Sequence, residues 1–446
     1  MSQLIVSISG IRGVIGDGLG PREAVRFGLA FGTYLAGGKV VLGRDSRPSG
    51  PMIADALRAG LLATGCRVVD LGILSTPGIS VMLRHLGADG GAIITASHNP
   101  SPYNGIKLLS AKGYGISREA GQAILDLYER QAFAEKGTDG VGKPERKATG
   151  AKVHVERVLA NIDATRVRGA RFKVVVDAVN GAGGAEMSRL LSELGCECIL
   201  INGRPTGRFT RGPEPIPEHL AALGEAVREH EANLGLALDP DADRLALVDE
   251  TGRPIGEECT LALVARHRLT QERGPLACNL STSRMMDDVA REAGVTLHRT
   301  PVGEVNVAEA IEREHCLIGG EGNGGVIDPR VALVRNSLAG AALILEMMAT
   351  RGLRLSELSG ELGVYTMVKD KVTLGHRPPA EVLQDVRRRF ADARVDDRDG
   401  LYLAWPDGWL HVRVSNTEPI MRITAEFVSA DAARRRVDEV KAMAGA

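Results

Sequence analysis

The sequence predicts an α/β fold: three mixed-sheet α/β domains followed by a C-terminal α+β domain. Three observations carry that reading. Short β-branched runs end in glycine and lead into amphipathic stretches, and the 54 glycines fall at these junctions rather than in low-complexity tracts. The pattern restarts after a polar stretch near residues 136–152, and again near Gly252. Past Tyr365 the texture changes, with alternating strands mixed among helices. The expected domains are residues 1–150, 151–250, 251–365 and 366–446, in keeping with roughly 150 residues per domain.

In the first unit, residues 39–42 (KVVL) read as a strand that enters Gly43-Arg-Asp-Ser-Arg47. Residues 51–64 follow as a helix with Ile53, Leu57 and Leu61 on one face. Residues 67–71 form the next strand, Ser75 opens a helix, and residues 91–95 (GAIIT) form a buried strand that stops at Ala96-Ser-His-Asn-Pro100. Strand, helix, strand, helix, strand implies a mostly parallel sheet. The second unit begins with the strand 172–177 (FKVVVD), continues through a strand at 197–201 and ends its apolar run 233–238 at Asp239. In the third, strands at 276–280, 296–300 and 316–319 alternate with helices, and 337–350 closes as a long helix. The last unit has strands at 369–374, 401–404, 409–414 and 422–428 and helices at 379–391 and 429–443.

Composition narrows the function classes. Apolar residues make up 44% and charged residues 25%, the balance of a folded globular chain. Lys plus Arg number 55 against 56 Asp plus Glu, a net charge of -1, so no global positive field exists to hold nucleic acid or anionic lipid. Aromatics are only 3%, leaving few platforms for base stacking. No nucleic-acid or membrane partner is expected. The opening MSQLIVSISGIRG has no basic, apolar leader pattern, and the apolar stretch 338–349 is short and carries Glu346. The six cysteines, at 66, 196, 198, 259, 278 and 316, fit neither a disulfide framework nor a zinc ribbon. They read as buried thiols of a cytoplasmic protein.

Four segments can carry chemistry. Asp239, Asp241 and Asp243 follow an apolar strand; on an extended segment they would project to one side and repel unless a hard divalent cation offset them. An acidic solvent-facing turn is the alternative. Ser97, in Thr95-Ala-Ser-His-Asn-Pro100, also ends a strand and could accept and return a phosphoryl group; taken by itself, the segment is read first as a capping serine and an Asn-Pro turn. No Gly-x-Ser-x-Gly elbow surrounds it, which disfavours a serine hydrolase. Arg413 and Arg422 flank Ser415, Asn416 and Thr417, a set that can wrap a phosphate or simply form a charged turn. Glu321 and Asn323 sit in the glycine loop Gly319-Gly-Glu-Gly-Asn-Gly-Gly325 and could bind sugar hydroxyls; a plain tight turn is the alternative.

Together and in this order, the four segments resemble the α-D-phosphohexomutase superfamily over essentially the whole chain. Ser9-Gly-Ile-Arg-Gly13, Asn104-Gly-Ile-Lys107 and Arg299-Thr-Pro-Val-Gly303 extend the likeness. The resemblance implies four domains around a central active-site cleft, one segment from each. It implies a phosphoserine at Ser97 that gives its phosphoryl group to a hexose phosphate, and a 1,6-bisphosphate intermediate that reorients and returns the other phosphate. It further implies one magnesium ion per chain held by Ser97, Asp239, Asp241 and Asp243, with cationic support from Arg12 and Arg244. Lys107 would be the general acid/base and His98 would orient the serine loop. Gly303, Glu321, Asn323, Arg413, Ser415, Asn416, Thr417 and Arg422 would hold substrate. The chain would act as a monomer or homodimer.

One departure bears on substrate. Many members close the sugar loop as Gly-Glu-x-Ser-Gly-His, whereas here it reads Gly-Glu-Gly-Asn-Gly-Gly, without the Ser and His. That form resembles a subgroup described as phosphoglucosamine mutases, so glucosamine 6-phosphate is the expected substrate, with mannose and glucose phosphates second. A metal-dependent sugar phosphatase and a non-catalytic sugar-phosphate binder are the rival classes.

Overall fold

The computed structural model describes residues 4–373, 377–414 and 420–445. Three successive sheets are built on one plan. In the first, Arg67–Ile73, Lys39–Arg44 and Gly90–Ile94 run parallel in that spatial order, and Tyr103–Ser110 returns antiparallel beside Gly90–Ile94. The second repeats this with Glu197–Ile201, Lys173–Asp177, Leu234–Leu238 and the returning Leu245–Val248. The third repeats it with Leu297–Thr300, Leu276–Asn279, Ile318–Glu321 and the returning Gly325–Ile327. The first sheet is widened to eight strands by Ile5–Ser7, Gly10–Ile15, Gly18–Leu19 and Pro144–Arg146.

The repeat positions the chemistry. In each of the three sheets, the turn between the last parallel strand and its antiparallel return carries one candidate loop: the serine loop after Gly90–Ile94, the aspartate loop after Leu234–Leu238, and the glycine loop after Ile318–Glu321. Ligands of open α/β sheets bind at these carboxyl ends. The fourth sheet is wholly antiparallel among adjacent strands, in the order Thr366–Thr373, Ile420–Phe427, Gly408–Val414, Leu401–Trp405 and Arg394–Asp396, and is covered by the helices Pro379–Arg389 and Ala430–Ala444.

The second and third units share one apolar core, in which Val174, Leu236 and Leu245 belong to the same cluster as Leu276, Ile318 and the nearly fully buried helix Ser337–Arg351. The first and fourth units have cores of their own. The fourth meets the rest through polar contacts as well. Lys369 pairs with Glu257 and Glu258 (2.9 and 3.3 Å), the Arg284 amide donates to Glu426 (2.8 Å), the Val302 amide to Asp399 (2.8 Å), and Ser281 shares a hydrogen bond with His411 (2.8 Å). No helix is long and apolar enough to cross a membrane among the described residues.

Candidate active site

The serine loop is held from below by a buried arginine. Arg47 donates through Nη2 to the carbonyls of Ser97 and Asn99 (both 2.7 Å) and through Nη1 to those of Pro100 and Tyr103 (2.8 and 2.9 Å). Its Nε pairs with Asp45 Oδ2 at 3.0 Å, and neither side chain is exposed. Asp45 Oδ2 also accepts the Thr95 hydroxyl (2.7 Å), whose oxygen accepts the Ser97 amide (2.9 Å). This scaffold over-determines a left-handed turn, with Ser97 at φ 48°, a conformation costly for a residue with a β-carbon. Arg47→Met should destabilise the first domain by about 3–5 kcal/mol, because it strands a buried carboxylate and four carbonyls. An unchanged denaturant midpoint would contradict that.

The aspartate loop departs from the extended segment expected above. It is a tight turn with Ala242 at φ 54°, folded around Asp239 Oδ1, which accepts the amides of Asp243 and Arg244 (3.0 and 3.1 Å). The turn, not strand alternation, brings the three carboxylates together: each offers an oxygen within 4.8 Å of the others, and all three are buried.

Each aspartate commits one oxygen to the protein. Asp239 uses Oδ1 as described; Asp241 Oδ2 accepts the Thr76 hydroxyl (2.7 Å); Asp243 Oδ2 pairs with Arg335 Nη2 (2.5 Å). The other oxygens are left for something else. Asp239 Oδ2 faces Ser97 Oγ at 3.4 Å, and Asp241 Oδ1 and Asp243 Oδ1 are buried without a hydrogen-bond partner among the described residues. Burial, then the charges of Asp243 and Asp241, hold the Asp239 carboxyl well above its usual range, and burial pushes Asp243 up to about 6 despite Arg335. Three oxygens in this state fit a hard divalent cation, which favours oxygen ligands and would relieve the repulsion.

Around the serine, Arg12 Nη1 donates to Asn99 Oδ1 (2.8 Å). Arg244 Nη1 pairs with Glu214 (2.5 Å), while its Nη2 lies 3.0 Å from His98 Nδ1, which is 3.3 Å from Ser97 Oγ. A guanidinium only donates, so His98 Nδ1 is the acceptor and the ring carries its proton on Nε2. Burial and then Arg244 depress His98 to about 3, so the ring is neutral at ordinary pH. Lys107 Nζ bonds Glu304 Oε1 at 2.7 Å. Burial opposes its charge, but Glu304 outweighs burial and holds Lys107 above the usual lysine range, as an ammonium.

Glu321 gathers the glycine loop. Its Oε1 accepts from Asn279 (2.8 Å) and the Gly303 amide (3.3 Å), and its Oε2 from Arg335 (2.7 Å). Asn323 Oδ1 is buried without a hydrogen-bond partner among the described residues, an acceptor suited to a hydroxyl. Arg413 and Arg422 are register partners across adjacent strands. Like charges at directly opposed positions disfavour a strand pair. Ser415, Asn416 and Thr417 lie outside the described residues.

The sequence reading passed over Arg335, saw Thr76 only as part of a helix start, and gave Arg47 only as part of a motif. Thr76 opens the helix Thr76–His85 in the first unit and reaches across to Asp241 in the second, with its amide on the Asp241 carbonyl (2.9 Å) and its hydroxyl on the carboxylate. Nothing in local sequence marks such a contact between distant segments.

A serine, an acidic triad and a glycine loop bearing Glu321 on three repeated sheets, with an arginine pair on a fourth, form a candidate phosphoryl-transfer site for a sugar phosphate. Comparison with known proteins agrees. Family models described as phosphoglucomutase/phosphomannomutase, alpha/beta/alpha domains I, II and III, match residues 4–135, 152–252 and 257–365, and the C-terminal domain model matches 368–443. The chain belongs to the phosphoglucomutase/phosphomannomutase family and is a phosphohexomutase. It is 40% identical over 439 residues to a phosphoglucomutase/phosphomannomutase of Thermococcus kodakarensis, covering 96% of both chains. It is also 40% identical over 436 residues to a probable phosphoglucosamine mutase of Methanopyrus kandleri, covering 97% of this chain and 95% of that one. A crystal structure of a phosphoglucomutase/phosphomannomutase family protein from Burkholderia thailandensis superposes with a TM-score of 0.87 at 30% identity, covering 98% of this chain and 96% of that one.

Proposed function

We propose that this mutase interconverts glucosamine 6-phosphate and glucosamine 1-phosphate through phospho-Ser97, using a magnesium ion held by Ser97, Asp239, Asp241 and Asp243. The observation that carries the site assignment is the 3.4 Å approach of Ser97 Oγ to Asp239 Oδ2, between two loops on different sheets. The glycine loop without Ser or His, and relatives named as probable phosphoglucosamine mutases in Methanopyrus kandleri and Methanosarcina acetivorans, support the amino sugar. The Thermococcus relative supports glucose and mannose phosphates as the second reading. We place the domain boundaries near residues 150, 250 and 365, and the enzyme in the cytoplasm.

Magnesium, when bound, would neutralise charge on the transferring phosphoryl group. In the first half-reaction the P–Oγ bond of phospho-Ser97 breaks and a bond forms from phosphorus to a sugar hydroxyl oxygen. The Lys107 ammonium protonates Oγ, and the hydroxyl's proton restores the ammonium. The bisphosphate then turns over in the cleft, and the second half-reaction runs in reverse on its other phosphate. Hexose 1,6-bisphosphate is thus both intermediate and activator. Arg12 and Arg244 lend positive charge beside the serine, and Glu321, Asn323 and Gly303 take the sugar.

The non-transferring phosphate is assigned to Arg413 and Arg422, with Ser415, Asn416 and Thr417 as further donors on the sequence reading. The fourth unit has its own core and polar contacts to the third, so it can close on the substrate and exclude water. Arg422→Ala should raise KM for the sugar phosphate about tenfold or more and lower kcat, through loss of charge-assisted donors. An unchanged KM in a folded variant would move the phosphate elsewhere. The function itself is tested by offering glucosamine, glucose and mannose 6-phosphates with a trace of the matching 1,6-bisphosphate. Isomerisation fastest on glucosamine is expected; release of free phosphate alone would refute the mutase reading.

A further inference from the structure

One buried guanidinium joins the aspartate loop, the glycine loop and the start of the helix Glu304–Glu314. Arg335 lies between the strand Gly325–Ile327 and the helix Ser337–Arg351, and each of its nitrogens serves a different carboxylate. Nε donates to Glu304 Oε2 (3.0 Å), Nη1 to Glu321 Oε2 (2.7 Å) and Nη2 to Asp243 Oδ2 (2.5 Å). The backbone amide of Arg335 also donates to Glu304 Oε2 (3.2 Å), and the other oxygen of Glu304 holds Lys107. Lysine, sugar-loop glutamate and metal-loop aspartate therefore share one cation. Without it, three buried carboxylates from separate segments would face one another with Lys107 beside Glu304 and Arg244 beside Asp243 to offset them.

Gly325 makes room for this arrangement. A β-carbon built on Gly325 would fall inside the van der Waals shell of Arg335 Cδ, Cγ lies 2.7 Å from it, and Asn323 Oδ1 2.9 Å. The backbone of Gly325 is ordinary strand, paired with Glu321, so what the position requires is space rather than conformational freedom. A side chain at 325 and Arg335 in its observed place exclude each other.

We propose that Arg335 is a positioning residue for phosphoryl transfer, that it fixes Asp243, Glu321 and, through Glu304, Lys107 in one unit, and that position 325 is glycine to admit it. The proposal rests on the site assignment made above. Arg335 acts through its three carboxylates rather than on the reacting atoms. A planar fork that satisfies three acceptors at three nitrogens cannot be replaced by an ammonium, which is a single point of charge.

Three variants of the full-length protein test this. Arg335→Met removes the cation, Arg335→Lys keeps the charge without the fork, and Gly325→Ala deletes no charged group but displaces the arginine. The readouts are the Mg2+ dissociation constant by calorimetry on unphosphorylated protein, and kcat and KM for the best hexose 6-phosphate. All three variants should bind Mg2+ about 10–100-fold more weakly, in line with the loss of groups that orient metal ligands. They should also raise KM and lower kcat, and lysine should not rescue methionine. A merely structural role would lower the melting temperature and leave the Mg2+ constant at the wild-type value; that result in a folded variant overturns the proposal. Should Arg335→Met fail to fold, Gly325→Ala decides alone: wild-type Mg2+ affinity and kinetics there overturn it. A wild-type protein that binds Mg2+ yet isomerises no sugar phosphate would refute the mutase reading instead, and the Mg2+ comparison among variants would still stand.

Discussion

Ser97→Ala should lower turnover by about four orders of magnitude or more, the scale seen when a nucleophile is removed from an otherwise intact site. The expected loss is this large because no neighbour can substitute. His98 is neutral, held as an acceptor by Arg244, and its Nδ1 lies 3.3 Å from the same oxygen. Thr95 is committed to Asp45 and to the Ser97 amide. The fold should survive, since Arg47 binds the backbone carbonyls of the loop and not the serine hydroxyl. Intact mass should show a phosphorylated fraction in the wild type that is gone in the variant. Appreciable isomerase turnover by a folded Ser97→Ala protein would remove Ser97 from the mechanism.

Asp241→Asn should weaken Mg2+ binding and turnover by more than about 100-fold, beyond the usual effect of altering a group that only orients a ligand. Thr76 already holds Oδ2, so Oδ1 is the oxygen that Asp241 has to offer. An asparagine can satisfy Thr76 with its carbonyl oxygen, but then presents an N–H₂ to the cluster in place of a ligand. The same change removes one of three crowded negative charges, so in chelator the variant should melt higher than the wild type. Activity lost and stability gained together would mark a site strained for function. Full activity in chelator, in either protein, would refute a catalytic metal.

Much of this candidate site was legible in the sequence because each candidate loop directly follows an apolar strand. Ser97 and Asp239 end runs of buried residues, and position at a strand end gives an otherwise ordinary serine or acidic turn its meaning. The geometry of the loops was less legible. The three aspartates converge because the chain turns back on Asp239 Oδ1, and the returning strands that make those turns into hairpins, Leu245–Val248 and Gly325–Ile327, are only four and three residues long.

Several helices escaped the reading, and for two of them the physical reason is plain. Pro21–Tyr34 carries Gly28, which reads as a breaker but lets the helix pack closely on Gly50–Ala63: a β-carbon there would meet the Leu57 carbonyl. Glu257–Gln271 is buried along Thr260 to Ala265 without interruption, so it has no polar face to reveal a helical period. The contacts that fix the reactive groups, from Arg47, Thr76 and Arg335, join residues tens to more than a hundred positions apart. Hydrophobic periodicity carries no record of them.

The central claim is that Ser97 carries the phosphoryl group and delivers it to sugar rather than to water. The most direct measurement is a single turnover of radiolabelled phosphoenzyme with excess unlabelled glucosamine 6-phosphate, followed by separation of bisphosphate, monophosphates and inorganic phosphate. Label leaving the protein and appearing in the hexose bisphosphate, then in the monophosphates, is the expected result. Label found only in inorganic phosphate, or retained on the protein, would contradict it.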